Sequence, residues 1–173
     1  MIGKILIQLR SVAERVKRAP WMLAVIAPAL LILALLVGFA SLLAYDQLAN
    51  GPKAAETLKY LESEFKTIAP PPTALQLRCD SMHKTHQGDV TCEYKTDLRY
   101  EQIKAHYDRE LKSHGWTFVK EIPVAIWSRD YGGKEAIYCK GIYDATLQYS
   151  GAEPGIEYTF GFTLSWGLSD ECK

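Results

Sequence analysis

Apolar positions along this chain follow three rhythms, and each predicts a different kind of element. From Ala19 to Tyr45 they are nearly continuous, with no Asp, Glu, Lys or Arg in the run. As a helix its heart, Trp21 to Tyr45, rises roughly 37 Å, at about 1.5 Å per residue. A bilayer's hydrocarbon core is about 30 Å thick and needs about 20 apolar residues. The run is therefore expected to cross a membrane once and to deliver everything after Asp46 to one side. Pro28 lies inside it as a local kink, which membrane helices tolerate because neighbouring groups re-satisfy the freed carbonyl.

The second rhythm is helical. Ile5, Leu9, Val12 and Val16 recur at helix spacing before the run. They predict either an amphipathic helix on the inner leaflet or an extension of the membrane helix. Leu58, Leu61 and Phe65, continued by Ile68, trace a stripe from Lys53 to Lys66. Asn50-Gly51-Pro52 is expected to separate this helix from the span, and Pro70-Pro71-Pro72 to end it in an extended spacer. The helix either joins the following domain or stands between that domain and the membrane. A third stripe, Tyr100, Ile103, Tyr107 and Leu111, is expected to be capped by Asp97 and stopped by Gly115.

The third rhythm has period two. Leu75, Leu77 and Cys79 alternate, as do Val90, Cys92 and Tyr94, which predicts a hairpin. Trp116 and Phe118 start a strand, and Val124 to Trp127 makes another, with Tyr131-Gly132-Gly133-Lys134 as a turn. Glu135 to Tyr143 follows, and Ala145 to Tyr149 either continues it or adds a strand. The strongest alternation is Tyr158, Phe160, Phe162, Leu164, Trp166 and Leu168. Hairpin, helix and antiparallel meander together predict an α+β fold, its antiparallel β-sheet packed on one main helix. Phe160, Phe162 and Trp166 are expected to face Ile103, Tyr107 and Leu111. The organisation read from these patterns is a basic segment 1–18, a transmembrane helix 19–45, a juxtamembrane helix and proline linker 46–72, and a small exported domain 73–173.

Charge orients the chain. Lys4, Arg10, Arg15, Lys17 and Arg18 precede the run against Glu14 alone. Lys and Arg flanking a span stay in the cytoplasm, so the N-terminus is expected inside and the C-terminal part outside. Trp21 and Tyr45 bracket the span as interfacial aromatics do. The competing reading is a cleaved secretory signal, with Gly38-Phe39-Ala40 as a passable cleavage pattern. The formal net charge of zero hides an asymmetry: fifteen of 20 basic and nineteen of 20 acidic residues follow the run, leaving that part near −4. That argues against nucleic acid as a partner, which needs a basic surface.

All four cysteines follow the run. An even count in a small exported domain reads as two disulfides. Hairpin register favours Cys79 with Cys92, placing Leu77 opposite Tyr94 and Leu75 opposite Thr96. Cys139 is left with Cys172, tying the tail to the sheet. His83 and His86 fall between the first two cysteines, but Cys-x3-His-x2-His-x5-Cys is a poor match to zinc spacings, so no metal ligand is assigned. His106 and His114 read as solvent-facing.

No nucleophile elbow, phosphate-binding glycine loop or HExxH helix occurs, so no catalytic or cofactor-binding residue and no cofactor is nominated. Ala34 and Gly38 form a small-xxx-small pair that predicts weak homodimerisation through the span. Tyr131, Tyr138, Tyr143, Tyr149 and Tyr158 are read as sheet packing, which tyrosine favours. The expectation is a non-enzymatic accessory or interaction domain anchored in the lipid bilayer, in a bacterial cytoplasmic membrane with its domain periplasmic or extracellular, and meeting a membrane or periplasmic protein. The alternatives are a ligand-binding or sensing domain using an aromatic sheet face, and a small hydrolase.

Overall fold

The computed structural model describes residues 20–126, 129–168 and 170–172. The expected segment 1–18, the strand end at Trp127 and the side chain of Trp21 lie outside the described residues. The chain divides into two compact units, Met1–Leu48 and Ala49–Lys173.

Helix α1 spans Pro20–Thr67. It is the one described helix long and apolar enough to cross a membrane. Within the first unit, Leu30, Leu31, Leu35 and Leu42 are 60–68% exposed, an apolar surface without a protein cover. Such a helix, apolar all round, is suited to lipid. The expected interruption at Asn50-Gly51-Pro52 does not occur: α1 is helical through it. Pro52 removes one backbone hydrogen bond, but the turns beyond it bury Ala54 and Leu61, and tertiary packing outweighs the local penalty.

The second unit is α+β. Its elements after α1 are β1 Leu75–Lys84, β2 Gln87–Lys95, α2 Tyr100–Ser113, β3 Thr117–Ile126, β4 Arg129–Lys140, β5 Tyr143–Tyr149 and β6 Phe160–Trp166. They form one antiparallel six-stranded sheet in the order β1-β2-β6-β5-β4-β3. The last strand inserts beside the hairpin. Thr159 holds that junction: its hydroxyl donates to the Thr96 carbonyl at 2.9 Å and accepts from the Thr96 amide at 3.0 Å.

The core lies on one face of the sheet. Phe160, Phe162 and Leu164 are buried, as are Ile103, Tyr107 and Leu111 of α2. Tyr107 stacks on Phe162 with centroids 4.5 Å apart. Two helical segments share this face rather than the single main helix expected. Leu61 and Ile68 join the same core, and the Phe65 ring sits 5.4 Å from Phe162. The end of α1 is thus part of the domain. The proline run is no free spacer either: Pro71 is fully buried and its carbonyl accepts from the Ala74 amide at 2.9 Å.

Four local expectations fail for identifiable reasons. A bulge between Gln76 and Arg78 shifts the hairpin register, so Gln76, not Leu77, opposes Tyr94, and Leu75 opposes Lys95. Arg99, not Asp97, is the N-cap of α2; the Gln102 carboxamide accepts from the Arg99 amide at 3.0 Å, half of a capping box. Gly132 and Gly133 lie inside β4 beside a register shift rather than in the connecting turn. There the Asp130 carboxylate accepts from the Gly132 amide at 2.7 Å and the Tyr131 carbonyl from the Ala152 amide at 2.8 Å. The last strand ends at Trp166, leaving Leu168 half exposed. By contrast Gly115, at φ 81°, ends α2 as expected, with the Trp116 amide donating back to Leu111 at 2.9 Å.

Candidate functional site

The sheet ends in two unpaired edges, β1 and β3. Along β1 all ten residues are exposed, on both faces. Its neighbour β2 alternates half-buried and buried positions up to the buried Tyr94 and ends on exposed Lys95. The difference arises because the helices cover the inner face of β2 but stop short of β1. What remains is an open cleft of about 550 Å³ between β1 and the last turns of α1.

The cleft has an apolar floor and polar walls. Val90, Cys92 and Tyr94 contribute from β2, and Phe65 and Ile68 from the end of α1. Glu62, Lys66 and Ser81 line its sides. The Ser81 hydroxyl donates to Glu62 Oε1 at 3.0 Å, joining helix to strand. Burial raises the Tyr94 phenol above its usual pKa, so it remains a neutral part of the floor. On the opposite face Arg78 pairs with Glu93 at 2.7 Å, although the Arg78 side chain is 73% exposed. Such an exposed pair adds little stability.

The cysteines fall at the two ends of the sheet. Cys79 lies directly opposite Cys92 with Cα atoms 4.1 Å apart, and the pair lines the cleft. Cys139 joins Cys172, Cα atoms 5.5 Å apart. Beside it the Lys120 ammonium donates to Glu171 at 2.6 Å, so the tail is held against β3 and β4 by a covalent and an ionic contact.

The remaining residues singled out by sequence do not converge. Among the described residues, no group of three His, Cys, Asp or Glu is placed to hold a metal ion. The His106 ring bonds the Ala69 carbonyl at 2.8 Å, and the His114 ring lies 2.8 Å from the Glu110 carbonyl. Both are structural contacts. Tyr138 is buried, with its hydroxyl donating to Asp108 at 2.8 Å; burial and that carboxylate both raise its pKa. Tyr143 and Tyr149 pack against the core. These three tyrosines are thus interior, whereas Tyr131 and Tyr158 are half-buried and outside the core.

Another cleft, of about 440 Å³, lies between α2 and the other edge. Lys104, Asp108 and Lys112 line its helical side and Phe118 its strand side. Asp108 accepts from Lys104 at 2.9 Å, and the Lys104 ammonium sits 4.3 Å over the Phe118 ring.

Sequence reading did not point to the β1 cleft. Alternation placed Leu75, Leu77 and Cys79 on a buried face, whereas Leu75 is 65% exposed. The usable signal was the charge on β1: Arg78, Asp80 and Lys84 mark a strand open to solvent. Comparison with protein-family models, curated proteins and solved structures finds no match to this chain.

Proposed function

We propose that this chain is a single-pass membrane protein whose C-terminal domain, on the outer side, is a non-enzymatic interaction module. The observation that carries the interaction reading is the fully exposed strand β1 beside an apolar-floored cleft. An unpaired edge presents backbone donors and acceptors in a row, and natural domains use such edges to bind other chains. The uncharged helix supports the anchor, and the basic flank supports its direction. The two cysteine pairs favour an oxidising compartment for the domain.

Three of the five tyrosines that motivate a sensing reading, Tyr138, Tyr143 and Tyr149, are occupied in or against the domain's own core, which moves the weight towards the edge. The test is site-specific photo-crosslinking of the full chain in native membranes, with probes placed singly along β1, β3 and the exposed face of α2. Reproducible crosslinks to another protein from one of these surfaces are expected. Absence of crosslinks from all three, in a folded and oxidised protein, refutes an interaction module.

A further inference from the structure

The two disulfides differ in what stands around them. Cys79 lies on β1, where every residue is exposed, while its partner Cys92 on β2 is 3% exposed. Both line the cleft of about 550 Å³. β1 is the last strand on its side of the sheet, so no further strand lies beyond Cys79. Beyond Cys92, in the other direction, stands the buried Phe162 of β6. Cys139 and Cys172 are both half-buried. Cys139 sits between Thr117 of β3 and Asp144 of β5, and Sγ of Cys172 lies 3.8 Å from the Tyr138 carbonyl. The Lys120–Glu171 ion pair straps the tail down beside them.

We infer that Cys79–Cys92 is a thiol–disulfide exchange site, attacked at Cys79 by an external dithiol, and that Cys139–Cys172 is a structural link. This stands apart from the interaction reading. A thiolate attacks a disulfide sulfur from the side away from the sulfur that leaves, and access to that side governs the rate. For Cys79 that side is the open edge of the sheet; for Cys92 it is occupied by Phe162. The attacking sulfur bonds to Cys79 Sγ, the Cys79–Cys92 bond breaks, and its electron pair leaves on Cys92, which takes a proton. The second thiol of the reductant then attacks its own partner sulfur in the mixed disulfide and expels Cys79, which is protonated in turn. The dithiol is oxidised to a disulfide, the cysteine pair is reduced, and the two protons of the dithiol end on Cys79 and Cys92.

The hairpin also prepares the return step. The ladder from Arg78 to Lys84 keeps Cys79 opposite Cys92 when the bond is open. The Ser81–Glu62 hydrogen bond and the Arg78–Glu93 ion pair hold the strand from its two faces. Two thiols held face to face re-form their bond without a search through the chain. Cys172 belongs to no strand, so nothing comparable brings it back to Cys139.

The test uses the full chain in nanodiscs, limiting dithiothreitol, an acid quench, and peptide mapping of the alkylated thiols. In the native protein Cys79–Cys92 should open about tenfold faster than Cys139–Cys172, because access governs the rate. The gap should close in guanidinium, where access no longer differs. After the dithiol is replaced by glutathione disulfide, Cys79–Cys92 should re-form without crossing to Cys139 or Cys172. Two variants, each checked for a native circular dichroism spectrum, assign the attacked sulfur. The free Cys79 of Cys92→Ser should take up glutathione about tenfold faster than the free Cys92 of Cys79→Ser. Equal opening of the two pairs in the unaltered protein, or faster opening of Cys139–Cys172, overturns the inference whatever the variants do. So does a gap that persists in guanidinium, a crossed pairing on reoxidation, or a Cys92 that reacts as fast as Cys79.

Discussion

Phe162 shows how one residue ties the domain together. Its ring meets Tyr107 of α2 at 4.5 Å and Phe65 of α1 at 5.4 Å, and it is 1% exposed. Cys92 and Leu147 oppose it on the two neighbouring strands. Truncation therefore removes contacts to both helices at once. Phe162→Ala should lower stability by about 3–5 kcal/mol, the usual range for a buried Phe, as read by chemical unfolding of the purified protein. Glu64 plays a polar counterpart. Its Oε1 accepts from the Trp116 indole at 3.1 Å and from the Lys140 ammonium at 2.6 Å. The hydrogen bond to Glu64 raises the Lys140 pKa above its usual value, outweighing burial. A raised lysine contributes stability that is fully present below the unfolded pKa of about 10.4 and is lost as pH climbs through the folded value. Glu64→Gln should thus lower the melting temperature at pH 8, and its difference from the unaltered protein should shrink above about pH 10.5. A difference that stays constant across that window would show that Glu64 acts through packing alone.

At the scale of elements, α2 and β6 were legible from sequence because each presents a pure period. Every buried position of α2, namely Tyr100, Ile103, Tyr107 and Leu111, belongs to the stripe read from the chain. β1 was misjudged because alternation shows that a strand has an apolar side, and only the sheet order shows whether anything covers it. Leu75 and Leu77 alternate as core residues do, yet they lie on an edge past the helices. Pro52 and the Gly132-Gly133 pair misled in the opposite sense: local breaker signals were overridden by packing of the following helical turns and by a bulge within a strand. The two cysteine pairs separate elements of unequal reach. Cys79–Cys92 closes a separation of 13 residues within one hairpin, whereas Cys139–Cys172 spans 33 and reaches the tail. Removing either should cost about 2–5 kcal/mol. On the chain-entropy account the longer loop contributes about 0.8 kcal/mol more. Paired Cys→Ser variants, compared by urea unfolding, check this order. A larger loss from the hairpin pair would mean that the Cys79–Cys92 link matters through native packing over the cleft rather than through the unfolded chain.

For the whole molecule, one argument joins the anchor to the domain's chemistry. On the proposed topology, which rests on the basic flank and the uncharged run 19–45, residues after Asp46 leave the cytoplasm, and all four cysteines lie in that part. The two features are independent in origin: one concerns lipid and translocation, the other redox compartment. They make a joint prediction. In intact cells, a cysteine-reactive, membrane-impermeant reagent should label an engineered Asp97→Cys in the domain but not Lys4→Cys, and the four native cysteines should resist labelling until the protein is reduced. The N-terminus of the mature chain should still precede Ala19. Reversed labelling sinks the proposed direction. A mature N-terminus mapped near Ser41 sinks the retained anchor and favours a cleaved secretory signal instead. Native thiols that label without reductant would place the domain outside with its cysteines unpaired, and the two disulfides would then not hold in the cell. Each outcome moves a different part of the proposal, because the helix decides whether the chain is anchored, the flank decides its direction, and the cysteines report where the domain resides.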